Sequence, residues 1–214
     1  MRREHAFQSN GETLPPFAEN LVFWAPLTQG DITDHISGII PTIQGSATWD
    51  SSKGMYLLDS TQNSQWKAAL QYTKPGGFNI NCNDGWSMYA EVAILSSTWN
   101  YNALFACTSV YLRNNGWSAN KQCFSYSNPL VVDEPNQNGM LHKLVFTAKA
   151  GDVKYYKDSQ LVSQAAGYTA AQQTNPPTQV DVCASNTNSN RIRMYARDVR
   201  LYNRNLTASE VAQL

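Results

Sequence analysis

The sequence predicts an all-β fold, an antiparallel two-sheet sandwich that ends in a short helical turn. Aromatic residues make up 11% of the chain, with six Trp and eleven Tyr, and such side chains favour pleated surfaces. Apolar residues recur in short runs of period two, bounded by Gly, Pro, Asn, Asp and Ser clusters. Roughly ten to twelve such runs follow one another at even spacing, with no long helical pattern between them, and that excludes alternating βαβ units.

Residues 1–20 are polar, contain Gly11 and Pro15-Pro16, and read as an arm or tether; residues 21–214 form the folded domain. In L-V-F-W-A-P-L, Leu21, Phe23, Ala25 and Leu27 share one phase and Val22 and Trp24 the other, so both faces of this first strand are covered. Asp31 to Gly38 is a loop, Asp50 to Gly54 a turn, and Met55 to Leu58 a short strand. Gln65 to Leu70 fits either a helical turn or a strand. From Trp86, the residues Met88, Ala90, Val92 and Ile94 alternate with Ser87, Tyr89, Glu91, Ala93 and Leu95. Asn100 to Tyr111 and Gln122 to Tyr126 are further strands, separated by the turn-rich R-N-N-G-W-S-A-N-K. Pro129 to Gly139 is a connection. Leu141 to Ala148 and Val153 to Asp158 form a hairpin across Ala150-Gly151-Asp152. Residues 163–178 are a long surface loop, and Val180 to Ala184 is short and buried in character.

The tail is the most informative segment. Ile192, Met194 and Ala196 share one phase, with Arg191, Arg193, Tyr195 and Arg197 on the other, where arginines keep an outer sheet face soluble. Asp198 shifts the pattern as a β-bulge would, and Val199 and Leu201 resume it. Thr207-Ala208-Ser209-Glu210 has the form of a capping box, and Val211 and Leu214 would seat the resulting helical turn on the sandwich.

This ending, R-I-R-M-Y-A-R-D-V-R-L-Y-N-R-N-L-T-A-S-E-V, resembles that of the laminin G-like, or concanavalin A-like, jelly-roll domains. The match falls on Asp198, Val199, Arg200, Tyr202, Asn203, Arg204, Leu206, Thr207, Glu210 and Val211. Leu21 to Leu27 with Asp34 and Gly38 is similar to that family's opening strand and loop. His142 to Val162 is similar to its hairpin, with Ser159 where the family usually has glycine. The resemblance covers residues 21–214 and implies a jelly roll. It does not imply an activity, since such scaffolds carry sugar-binding, protein-binding and catalytic members.

Charge narrows the classes. Sixteen basic and sixteen acidic residues leave no electrostatic footprint for nucleic acid, and the apolar runs are too short to insert in a membrane. The first residues do not form a secretory signal. Only 15% of residues are charged, so Asn, Gln, Ser and Thr supply the polar surface. Such a surface favours a virion component or an extracellular surface protein. Cysteines at 82, 107, 123 and 183 form no C-x-x-C; free thiols are favoured, and the spacing leaves open a bridge from Cys82 to Cys107 or Cys123.

No triad, phosphate loop or zinc cluster is evident in the sequence. Glycoside cleavage needs two facing carboxylates, whereas Glu91 stands alone and Asp133-Glu134 point to opposite faces of an extended strand. The chain is therefore expected to be no enzyme, with glycoside hydrolase a minor alternative. Sugar binding stacks an aromatic ring on a pyranose and hydrogen-bonds its hydroxyls. Trp99, Tyr101, Tyr111, Arg113, Asn115 and Trp117 supply rings beside amides and a guanidinium, and are the expected carbohydrate contacts. No cofactor is required, except that Asp31 and Asp34 are candidates for a loop-bound calcium. The partner is expected to be a glycan, making the chain an adhesion or decoration module. The rival is another protein of a larger assembly, or a second copy in a homo-oligomer, reached through the same aromatic loops.

Overall fold

The computed structural model describes residues 13–60, 67–81, 84–97, 102–107, 110–114, 122–125, 130–132, 139–166, 176–185 and 192–214. These contain fourteen strands. They are β1 (Leu21–Ala25), β2 (Ser46–Asp50), β3 (Met55–Asp59), β4 (Lys67–Thr73), β5 (Trp86–Ser97), β6 (Asn102–Cys107) and β7 (Val110–Asn114), then β8 (Gln122–Ser125), β9 (Leu130–Val132), β10 (His142–Lys149), β11 (Asp152–Lys157), β12 (Gln160–Ala166), β13 (Gln179–Ser185) and β14 (Ile192–Tyr202). One helical turn, α1 (Ala208–Val211), follows. An eight-stranded sheet runs β12-β11-β10-β5-β14-β3-β2, with β1 also paired to β14. A six-stranded sheet runs β4-β13-β6-β7-β8-β9. The fold is the antiparallel sandwich the sequence predicts.

Phe23, Leu58, Leu70, Tyr72, Trp86, Met88, Val92, Phe105, Phe146, Val182, Ile192, Met194 and Leu201 fill the space between the sheets. The alternation along β5 and β14 seats them there. Phe23 meets Tyr72 edge-on at 4.8 Å and Phe78 at 5.8 Å, the geometry aromatic quadrupoles prefer. Trp49 packs on the margin of this core against Tyr56 at 5.3 Å. On β13 the alternation breaks at Cys183 (φ +58°), so that Val182 and Cys183 both join the core, as do Leu104 and Phe105 beside them. Neither Cys107 nor Cys183 is in a disulfide, so the bridge from Cys82 to Cys107 is not formed. Cys82, and the side chain of Cys123, lie outside the described residues.

A second apolar cluster covers part of the outer face of the larger sheet. Tyr89, Val145, Tyr156 and Tyr202 meet Leu206 and Val211, with Phe17, Ala18 and Leu214 packed on them. Both faces of β1 are thus buried, Phe23 inward and Trp24 outward. Of the expected arm, residues 1–12 lie outside the described residues, Pro15 is buried, and Phe17 and Ala18 pack on this cluster. Tyr202 donates to the Pro16 carbonyl at 3.2 Å, and the Arg204 guanidinium lies 5.2 Å over the Phe17 ring.

The tail folds as its pattern predicts. The register of β14 on β5 shifts between Arg197 and Val199, and Asp198 takes φ +54° as the bulged residue. Thr207 and Glu210 close the capping box. Glu210 also receives the Arg204 guanidinium at 2.9 Å. That hydrogen bond, with the Thr207 amide, holds the Glu210 carboxyl down from its ordinary 4.5 to about 2. Folding therefore releases a proton from Glu210 between those values, and its stabilisation is complete above pH 4.5 and lost as pH falls toward 2. The difference in melting temperature between wild type and Glu210→Gln is expected to be constant at neutral pH and to shrink over that acid window.

Three expectations require correction. The loop expected over 163–178 begins with β12, which pairs with β11 from Gln160 to Ala166. Its polar run of Ser, Gln and Ala carries little apolar pattern, because an edge strand needs only one neighbour. The connection expected over 129–139 contains the three-residue strand β9. The single strand expected from Asn100 to Tyr111 is two, β6 and β7, paired antiparallel. Gln65–Leu70, left open between helix and strand, resolves as β4 from Lys67 onward.

The β11–β12 turn keeps its form without glycine. Asp158 and Ser159 have φ of +50° and +67°, the left-handed pair of a two-residue hairpin. Ser159→Gly is expected to stabilise the domain by about 0.5–1 kcal/mol, since glycine adopts that conformation freely. Equilibrium denaturation of the two forms checks this.

Candidate functional site

Trp99, Tyr101, Asn115 and Trp117 lie outside the described residues. The strands that flank them are described, and β6, β7 and β8 are neighbours in the smaller sheet. Ser97, which leads into 98–101, pairs with Ile192. Asn102, which follows 98–101, pairs with Asn114, and Asn114 pairs with Gln122 across the 115–121 connection. Asn102, Asn114 and Gln122 therefore stand side by side at one end of the smaller sheet, while Ser97, at the other end of 98–101, lies beside the start of β14 in the larger sheet. Tyr111 and Arg113 sit within β7, their backbones opposite Ala106 and Ser125, and Ala103 and Cys123. Their side chains are not among those described.

Asp31 and Asp34 are elsewhere, in the loop after β1. Asp34 is fully buried and accepts from the Trp24 amide at 2.9 Å, the Ile36 amide at 3.1 Å and the Ser37 hydroxyl. Burial raises its pKa against those bonds. Asp31 accepts from the Thr33 amide at 2.8 Å and lies 2.7 Å from the His35 ring. Burial acts to raise the Asp31 pKa, but the Thr33 amide and His35 hold it below its ordinary value. Both carboxylates thus spend their lone pairs shaping the loop. Among the described residues no group of three or more His, Cys, Asp or Glu stands together as a metal site. Likewise, no helix among them is long and apolar enough to cross a membrane.

Glu91 lies on the outer face of β5. Its carboxylate takes the Tyr89 hydroxyl at 2.6 Å and the Arg197 Nε at 2.6 Å. Burial works to raise its pKa, yet these two donors hold it low. It is an anchored anion in an ion pair, directly opposite Arg197 in the ladder and Lys143 on the other side. Such a carboxylate is poorly suited to donate a proton to a glycosidic oxygen, which calls for a raised pKa.

The alternation along β14 predicts outward arginines that keep the sheet soluble and extend their stems over neighbouring side chains. The structure gives them a more ordered setting. Arg193, Tyr195 and Arg197 rise in one line from the centre of the larger sheet, and Tyr195 donates to the Asp50 Oδ2 at 2.7 Å. The alternation Arg-x-Tyr-x-Arg was legible; the acids beneath it on β3 and β5, and Asp50 beside it on β2, come from residues far apart in the chain.

No family model matches the chain, and no curated protein matches it in sequence. Solved structures do match. The binding domain of botulinum neurotoxin DC, in complex with rat synaptotagmin II, aligns with a TM-score of 0.69 at 11% identity over 91% of this chain. The likeness is one of fold. The botulinum neurotoxin serotype G binding domain aligns at 0.65 with 14% identity over 90% of this chain. A botulinum neurotoxin type C structure, described in terms of cell entry through two ganglioside molecules, aligns at 0.66 with 10% identity over 91% of this chain. This chain spans about half the length of these proteins, 51%, 50% and 50% respectively.

Proposed function

We propose that the chain is a non-catalytic recognition module of the laminin G-like, jelly-roll kind that binds glycan, serving adhesion or decoration on a virus particle or cell surface. The observation that carries the reading is the pairing of Asn102 with Asn114 and of Asn114 with Gln122, which sets the end of 98–101 beside both ends of 115–121, two ring-and-amide segments. Sugar sites are built from such combinations, a ring for the apolar face of a pyranose and amides for its hydroxyls. The fold's likeness to toxin binding domains supports a binding role. The engaged state of Glu91 supports a role without hydrolysis.

A glycan array probed with wild type and Trp117→Ala tests this. Binding by wild type is expected, with loss of about tenfold or more in the variant at unchanged melting temperature; stacking of one ring is worth about that much. A wild-type protein that captures no sugar would end the reading. Assembly through protein contacts is favoured instead by Ile40 and Ile43, exposed by 75% and 49% beside the edge of β4, to which Thr42 bridges. Light scattering that finds a stable oligomer, dispersed by Ile40→Ser, would support that role.

A further inference from the structure

We propose that the outward line Arg193–Tyr195–Arg197 on β14 is a subsite for an acidic glycan, a sugar chain bearing carboxylate or sulfate groups. The proposal rests on the glycan-binding reading and names the class of sugar.

The argument begins with layering. Arg197 stands opposite Glu91, and Arg193 opposite Asp59. The Glu91 side chain is 10% exposed against 44% for Arg197, and Asp59 13% against 48% for Arg193. The acids lie underneath and the guanidinium groups in front, so a neutral patch presents a cationic outer layer. Arg197 gives Glu91 its Nε at 2.6 Å, and its Nη groups have no hydrogen-bond partner among the described residues. The Arg193 Nε is 4.0 Å from Asp59, at the limit of pairing. A guanidinium has five N–H donors in a planar fork suited to carboxylate and sulfate oxygens.

The spacing then selects the ligand. Positions four residues apart on one strand stand about 13 Å apart at ~3.3 Å per residue. Such a span serves anionic groups on separate units of an extended chain. Tyr195 lies between them, its ring tethered by Asp50, and offers a face for an intervening pyranose. An acidic peptide would dock on a sheet chiefly by adding a strand at an edge. β14 is internal, with β5 on one side and β3 on the other, and offers no edge there. A dense polyanion such as nucleic acid is disfavoured by Asp50, Asp59 and Glu91 close behind. Arg193 also pairs with Ser96, next to the point where 98–101 leaves β5, so the line runs up to the proposed sugar-binding end.

The test is titration calorimetry on the whole chain with three sugars: a sialylated oligosaccharide, its desialylated form, and a sulfated oligosaccharide. Wild type is expected to favour the two acidic sugars, with affinity falling as salt rises. Arg193→Gln is expected to weaken them about tenfold, the loss of one charge-assisted hydrogen bond, without change in melting temperature. Arg197→Lys keeps the pair with Glu91 but loses the fork, and is expected to weaken them while the fold persists. Equal binding of neutral and acidic sugars, unaffected by Arg193→Gln yet abolished by Trp117→Ala, overturns the subsite and leaves the glycan module intact. No binding of any sugar by wild type overturns both. Binding of oligoglutamate that is lost in Arg193→Gln, without acidic-sugar binding, overturns the glycan class.

Discussion

Arg200→Ala is expected to destabilise the domain by about 3 kcal/mol, the cost of stranding one partner of a buried ion pair. Arg200 is 7% exposed on the outer face of the larger sheet. Its Nε donates to the Asp198 Oδ1 at 2.7 Å, its Nη2 pairs with Oδ2, and its guanidinium lies 4.5 Å over the Tyr89 ring. Asp198 also accepts from the Trp24 indole at 3.2 Å and occupies the bulge with φ +54°. Removing the arginine leaves a partly buried carboxylate holding a left-handed residue in place, and opens a void under Tyr89. Thermal unfolding is expected to shift down by roughly 6–12 °C for a domain of this size. Arg200→Lys keeps the charge, loses the fork, and is expected to fall between.

Asp34→Ala is expected to cost about 2–3 kcal/mol, because it orphans the buried Trp24 amide together with those of Ile36 and Ser37's hydroxyl. Asp34→Asn retains one acceptor oxygen and is expected to cost less. The two variants also report on the sign of pH dependence. The folded pKa of Asp34 lies above its ordinary 3.8, so folding takes up a proton there and ionisation weakens the fold as pH rises from 3.8 through the raised value. That slope opposes the one from Glu210, and Asp34→Asn is expected to remove it. Urea denaturation of wild type and Asp34→Asn across the acid range checks both size and sign.

The legible parts of the fold were those where one face is apolar and the other polar. Trp86 to Ile94 and Ile192 to Leu201 each alternate cleanly, and the bulge at Asp198 was readable because one residue breaks the phase. The capping box was local chemistry within four residues. What escaped was β12, an edge strand whose sequence carries little apolar signal, and the split between β6 and β7, where Leu104 and Phe105 both face the core and blur the period. The candidate sugar contacts were legible as types of residue, but their coming together depends on pairings such as Asn102 with Asn114, which follow from strand order. Asp34 looked like a ligand because a loop aspartate is ambiguous; its burial beneath Trp24 is a tertiary fact. The same holds for the acids under Arg193 and Arg197.

β14 hydrogen-bonds to β5 on one side and to β3 and β1 on the other, yet among the described strands it is the last to leave the ribosome. Until it inserts, the first three strands have no continuous link to the fifth. The larger sheet must therefore wait, as three unjoined pieces (β1 alone, the β2–β3 hairpin, and β5 with β10 to β12), for the closing segment to arrive. Long-range pairing of this kind slows folding and prolongs exposure to aggregation. A chain stopped before Ile192 is therefore expected not to fold as a smaller version of the domain.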